Sequence, residues 1–317
     1  MIRAEITLDK AGIYQLPADV YHADPCPAPS LSSTLAKTMI AQSPLHAWDK
    51  SPLLNPNYEP TDSKTFDIGR AAHRAVLGKG EGYVAIPNDM LASNGAASTK
   101  AAKEFIEEAR ASGLTPLKAD EVDQIGTIAD KVRAKLGRMG IEFDPAHSEV
   151  TAIAQIDGVW CRAMIDNAPT DPRQPLYDLK TCEDASPQAV ERSIMNYGYQ
   201  LQAQHYIDVW KAATGEDRAF CFVFVEKKSP HEVTLARIAN GTMVIARKQA
   251  IRAREMWANC IKAQSWPGYP DGIMEIDLPA YWQERWLERE SVEADHKQRT
   301  GSDILELARR FQSPEGL

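Results

Sequence analysis

The chain of 317 residues has no apolar run approaching the ~20 residues that a membrane-spanning helix requires. Its first residues, Met1-Ile-Arg-Ala-Glu-Ile6, lack the basic-then-apolar order of a secretory signal, so a cytosolic protein with no membrane partner is expected. Cysteine is sparse. The five residues (Cys26, Cys161, Cys182, Cys221, Cys260) are odd in number, widely spaced and without a Cys-x-x-Cys pair, which argues against a disulfide framework and against a zinc or iron–sulfur cage. A His-Glu-x-x-His motif is also missing, which makes a zinc metalloprotease improbable. Basic excess is absent too: the formal charge is −8. That argues against a protein that coats nucleic acid through bulk positive charge, but not against an enzyme whose acidic exterior surrounds a local basic groove. No internal repeat or low-complexity tract is present.

What is present is a length and a hydrophobic content, 44%, sufficient for a full core, read here as one elaborated domain over residues 1–317. A short strand or two opens the chain, followed by a loop rich in proline (Pro25, Pro27, Pro29). A helix then starts at Ser30 or Ser32 as its cap and ends before Pro44. Apolar periodicity predicts helices from about 63 to 78 (with Phe66, Ile68, Ala72, His73, Val76 and Leu77 on the pattern), at about 97–112 and at 119–139. The last two are closed by Gly113 and Gly140. Strands are expected at 149–156, 159–166 and 176–181. Ser186-Pro187 reads as a cap with proline at the first helical position, opening a helix through about Thr214 with a possible break near Asn196-Tyr-Gly198. The almost purely apolar run Ala219–Glu226 suits a buried strand with His231–Ile238 as hairpin partner, and the rest, from Thr242, reads as helices. The expected class is α/β: a central mixed sheet flanked by helices, with added helices at both ends.

Asp157-Gly158 between two alternating apolar runs is the strongest short-range hairpin signal in the chain, because a type I′ turn needs positive φ at both central residues. A two-residue turn there sets the register, and the register puts Glu149 directly opposite Asp166. Like charges so placed are destabilising unless a cation lies between them. If the hairpin is bulged, Glu149 is instead an ordinary strand-edge carboxylate. Downstream, the period-2 geometry of Tyr177-Asp-Leu-Lys-Thr181 puts Asp178 and Lys180 on one face and Leu179 on the other. Glu149, Asp166, Asp178 and the Leu179 carbonyl are hard oxygen donors of the kind that suit Mg²⁺ or Mn²⁺. Two such ions can activate water and stabilise charge on a transferring phosphoryl group, with Lys180 beside the nucleophile or the scissile phosphate.

On these residues the chain resembles the PD-(D/E)xK nuclease superfamily in its RecB-like branch, with most similarity to the RecE or exodeoxyribonuclease VIII phage recombination exonucleases. Asp166 stands before Asp178-Leu-Lys180, and a helix carrying Gln202-Ala-Gln-His-Tyr206 follows. In the same order come Tyr21-His-Ala-Asp-Pro, Leu31-Ser-Ser, Ser43-Pro-Leu-His-Ala-Trp48, Gly69-Arg-Ala-Ala-His73 and Cys161-Arg162. The likeness covers roughly 12–238 and leaves 239–317 as a helical extension without a matching motif. It departs from the superfamily name in carrying Ile165 rather than proline before Asp166. It implies His73 as a helix-borne metal ligand, Asp166 and Asp178 as metal carboxylates, Lys180 as the catalytic lysine, and Gln202 with Tyr206, one helical turn apart, as a pair that supports the site and contacts substrate, with Gln200 an alternative glutamine. It further implies a 5′→3′ exonuclease on linear double-stranded DNA that leaves 3′ overhangs for a single-strand annealing protein, and a ring-like homo-oligomer. The alternatives are a RecB- or Cas4-like nuclease of other polarity, against which the missing cysteine cluster and helicase motifs weigh, and a catalytically silent DNA-binding scaffold. Ser32, Ser33 and Lys37 near a helix N-terminus could receive a terminal phosphate or simply cap the helix. The basic run Arg247–Arg254 is read as a solvated face in preference to a DNA track.

Overall fold

The computed structural model describes residues 6–59, 67–80 and 82–303. Strand β1 (Gly12–Gln15) and helix α1 (Ala18–His22) lead to β2 (Leu31–Ser32), α2 (Ser33–Ala41), α3 (Pro44–Asp49) and α4 (Asp67–Leu77). Then come β3 (Gly82–Ala85), α5 (Lys100–Ala111), β4 (Leu114–Leu117), α6 (Ala119–Arg138), β5 (Ser148–Ile156), β6 (Val159–Asn167) and β7 (Leu176–Cys182). The chain closes with α7 (Pro187–Tyr197), α8 (Tyr199–Thr214), β8 (Phe220–Glu226), β9 (Val233–Ala236), α9 (Asn240–Ala263) and α10 (Ala280–Thr300). Two compact units result, Met1–Gly268 and Tyr269–Leu317. The second contains α10, on which no described residue is buried.

A mixed seven-stranded sheet in the order β1-β5-β6-β7-β8-β9, with β2 added against β6, forms the first unit's centre. β7 and β8 run parallel, and β2 runs parallel to β6; the other neighbours are antiparallel. The uninterrupted apolar run of β8 follows from burial on both faces. Phe220, Phe222 and Phe224 join a core with α2, α8 and α9, while Cys221, Val223 and Val225 join a second core with α4 and α6. Helix α9 belongs to the first of these cores through Ala250, Ala253 and Trp257, so the main unit extends well past residue 238.

Most expected elements are present, and several boundaries are explained by their caps. Ser186 accepts from the Ala189 amide with Pro187 at the first helical position. Gly198, at φ +63, stops α7 and starts α8 at the expected break. The turn at Asp157-Gly158 has φ of +53 and +80, as type I′ demands. The expected helix from about 63 begins outside the described residues, which show it from Asp67; Phe66 lies among those not described. The parallel pair β3–β4, connected through α5, was not legible: each strand is four residues long and β4 contains Pro116.

One expectation needs correcting. The hairpin register holds on both sides, Ser148 with Asn167 and Val150 with Ile165, but Glu149 itself is not laddered to Asp166. Its backbone is left-handed, φ +50, which turns the side chain out of line and over Gly80, where a Cβ would lie 2.7 Å from Glu149 Oε1.

Candidate active site

The site forms where two strands part. β6 and β7 share one ladder pair, Asn167 with Tyr177. One step further in the same register Asp166 would face Asp178, and there the ladder stops. β2 takes the free edge of β6 instead, through Leu31 with Cys161 and Ser32 with Arg162. The Leu179 amide, released from strand pairing with β6, donates to Asp166 Oδ2 at 2.6 Å. A side chain has replaced the backbone acceptor. A buried ion pair holds the strand that fills the gap: Arg162 lies 2.9 Å from Asp24, which also accepts from the Ser30 amide at 2.8 Å.

Asp178 is 2% exposed. Its Oδ1 accepts from Gln202 Nε2 on α8 at 2.7 Å, and its Oδ2 lies 2.5 Å from Lys180 Nζ. Leu179 between them points into the α4–α6 core, so the expected alternation is present. Burial acts to lower the Lys180 pKa, but the carboxylates of Asp178 and Asp166 outweigh it and hold the lysine above its usual value. It is therefore an ammonium ion at neutral pH. Its Nζ also sits 5.0 Å from the centroid of the Tyr199 ring, and Lys37 of α2 reaches the same ring at 5.4 Å.

Burial, and next the Asp178 charge, push the Asp166 carboxyl well above the usual range, against the pull of Lys180. His73 on α4 stands 3.6 Å from Asp166 Oδ2 through Nδ1. Burial first and the Lys180 charge second lower its pKa, which keeps a nitrogen lone pair available for a metal. Glu149 raises the pKa of both Asp166 and His73 through its charge, so it remains electrostatically part of the cluster although it is not opposite Asp166.

His73, Asp166, Asp178, Lys180 and Gln202 are thus brought together. Gln200 is not among them; its amide donates to Gln249. Tyr206 is buried, stacks edge-on against Phe220 and shares a hydrogen bond with Ser33, and the charges of Asp178 and Asp166 reach it, so it packs behind the carboxylates. Ser32 caps α2 by accepting from the Leu35 amide. Of the basic run, Arg247, Lys248 and Arg252 are exposed, as expected of a solvated face, while Arg254 is buried against Asp208 at 2.8 Å. Tyr199 was missed, because a tyrosine after a helix break carries no signal until the lysines beside it are placed.

The donors fit a hard divalent cation in kind. Burial and, next, the charge of Asp178 drive up the pKa of Asp166, and Asp178 Oδ2 is buried with the ammonium beside it but no hydrogen bond of good geometry, so both carboxylates would gain from a cation. Among the described residues no three His, Cys, Asp or Glu side chains already converge as a metal cage. Asp178 is instead drawn to Lys180 and Gln202, while the Leu179 amide donates to Asp166 and its backbone also hydrogen-bonds His73.

A mixed sheet opened between two strands, with Asp, Asp-x-Lys and a helical glutamine at the opening, defines a nuclease-like α/β domain. The chain belongs to the family described as PDDEXK-like domain of unknown function (DUF3799), whose model matches residues 32–277. A solved structure from Eubacterium rectale, described as a "putative exonuclease", shares the fold at a TM-score of 0.51 and 13% identity, over 84% of this chain and 97% of that one. A phage-related exonuclease from Haemophilus somnus 129PT aligns at a TM-score of 0.30 and 10% identity, over 66% and 92% of the two chains. An alkaline exonuclease from Laribacter hongkongensis aligns at 0.25 and 14%, over 64% and 96%. The first likeness speaks to the fold, and the other two carry no argument. No curated protein matches the chain.

Proposed function

We propose that the protein is a metal-dependent DNA exonuclease that hydrolyses phosphodiester bonds of linear double-stranded DNA. The observation that carries this reading is the Asp178 carboxylate held between Lys180 and Gln202, beside an Asp166 that reaches the same opening. His73, Asp166, Asp178, Glu149 and the Leu179 carbonyl would hold Mg²⁺ or Mn²⁺, as two ions. A divalent ion bound there supplies water activation and neutralises charge on the phosphoryl centre.

The chain's own residues divide the remaining work. Lys180, kept charged by two carboxylates, directs its ammonium at the position where negative charge develops on the scissile phosphate and can hold a proton near the attacking oxygen. Gln202 fixes the rotamer of Asp178, and the Leu179 amide fixes that of Asp166. Base readout has no part in this, since positioning phosphates is sufficient for the chemistry. The likeness to the RecE group supports 5′→3′ polarity, 3′ overhangs passed to a single-strand annealing protein, and a ring-like homo-oligomer that would give processivity without a basic exterior.

The test uses linear duplex DNA labelled at either end, with Mg²⁺ or EDTA, beside Asp178→Ala and Lys180→Ala. Metal-dependent release from the 5′ end, lost in both variants, is expected. Equal cutting of closed circles would instead identify an endonuclease, and no cutting under any metal would identify a silent scaffold.

A further inference from the structure

Beside the carboxylates lies a feature that the hydrolytic reading does not use. At Gly198, between α7 and α8, a Cβ would stand 3.3 Å from Lys37 Cδ and 3.4 Å from Lys37 Cγ. The aliphatic stem of Lys37 therefore lies across the glycine, and the ammonium emerges at the site, 3.5 Å from Gln202 Oε1 and 5.4 Å from the Tyr199 centroid. Among the described residues no carboxylate pairs with it. Two ammonium groups, Lys37 and Lys180, thus share one aromatic ring, and only Lys180 has a carboxylate in contact. Burial first and the Lys180 charge second lower the Lys37 pKa to about 8, with Asp178 offsetting only part of this. The position lacks an anion.

On the other side of Gly198 stands Tyr197, 64% exposed, its ring 5.6 Å from that of Tyr199 and tilted 31° to it. Isolated exposed aromatics are ordinary. This one is continuous, through Tyr199, with the two ammonium groups of Lys37 and Lys180. A planar, apolar, uncharged partner would cover it, and a neighbouring anion would satisfy Lys37.

We propose that Lys37 and Tyr197 form a nucleotide-binding ledge, with a backbone phosphate on Lys37 and the base of an unpaired nucleotide stacked on Tyr197. The ledge rests on the nuclease reading for its place beside the reacting phosphate. A base inside a duplex is covered on both faces by its neighbours, so only an unpaired or terminal nucleotide can stack on Tyr197, and the ledge takes the unpaired one at a frayed end. Lys37 is a binding residue, distinct from Lys180.

The experiment measures binding of a single-stranded oligodeoxynucleotide containing 2-aminopurine, in EDTA so that turnover is absent, with cleavage of end-labelled duplex followed separately in Mg²⁺. Wild type is expected to quench the 2-aminopurine on binding. Tyr197→Ala should abolish the quench and weaken binding about tenfold, while Tyr197→Trp retains both. Lys37→Met should weaken binding and reduce the slope of log K against log salt by about 0.7, and Lys37→Arg should restore it. In cleavage, both losses should appear in KM before kcat, with melting midpoints unchanged. Wild-type quench and affinity in Tyr197→Ala and Lys37→Met overturn the ledge alone when the enzyme still cleaves DNA. A protein that binds and quenches but cleaves nothing under any metal keeps the ledge and removes the nuclease.

Discussion

Replacing Gln202 by leucine deletes the amide that donates to Asp178 Oδ1 at 2.7 Å, in a position that is buried on both sides of the contact. Volume is nearly kept, so the change is electrostatic. A buried carboxylate deprived of one hydrogen bond loses about 1.5–3 kcal/mol, since the group is charged and water cannot replace the donor. In a unit of this size that corresponds to a melting midpoint lower by roughly 5 °C. The activity should fall further than the stability. Partners that orient a ligating carboxylate are typically worth about 10–100-fold in metal affinity or rate. A Mg²⁺ titration of duplex hydrolysis should therefore show a half-saturating concentration raised by about that factor in Gln202→Leu. Gln202→Glu keeps the shape but sets a second carboxylate against Asp178, so it should be at least as impaired near neutral pH and recover partly as the pH is lowered and the new group takes a proton. A Gln202→Leu protein with wild-type melting and wild-type metal response would refute the claim that this amide holds Asp178 in place.

Two further outcomes test the frame around the site. Asp24→Ala leaves Arg162 buried and uncompensated and should cost about 3–5 kcal/mol in urea unfolding, whereas the double change Asp24→Leu with Arg162→Met should recover most of it; a loss under about 1 kcal/mol in the single variant would refute the ion pair's role. Burial lowers the His205 pKa from 6.5 to about 4, while its Nε2 lies 3.1 Å from the Arg162 carbonyl. The unfolded chain thus takes up the proton first, and stability complete above pH 6.5 is lost as the pH falls towards 4, by about 2 kcal/mol at pH 5. In chemical denaturation the unfolding free energy of wild type should fall by about 2 kcal/mol more than that of His205→Asn between pH 7 and pH 5, and parallel curves would contradict it.

The parts of the site that follow from local rules could be read from the sequence. Asp157-Gly158 fixes a turn, the turn fixes a register, and the alternation of Tyr177–Thr181 puts Asp178 and Lys180 on one face; each step uses neighbours in the chain. The strand pair β3–β4 could not be read, because four-residue strands with a proline depend on α4 and α5 packing over them rather than on their own pattern. Nor could the conformation of Glu149. A left-handed glutamate is locally unfavourable and exists here where Gly80 leaves space for its carboxylate. The position of Lys37 depends likewise on Gly198, 161 residues away in the chain, and no window of sequence joins them.

The strand opening and the carboxylates explain each other. Had the β6–β7 ladder continued past Asn167 and Tyr177, Asp166 and Asp178 would be a directly opposed, buried pair of like charge, an arrangement that destabilises a sheet. Parting the strands relieves that repulsion only in part, since after burial the charge of Asp178 is still the largest influence raising the Asp166 pKa. Lys180 neutralises one carboxylate and the Leu179 amide solvates the other, so the fold tolerates the cluster, with Asp166 and Asp178 still buried side by side. A structure selected for stability alone would place apolar residues here, as the phenylalanines of β8 do one strand away. Two buried carboxylates kept side by side at a strand opening are what the proposed cation site requires, and a cation between them would relieve the repulsion that the opening relieves only in part.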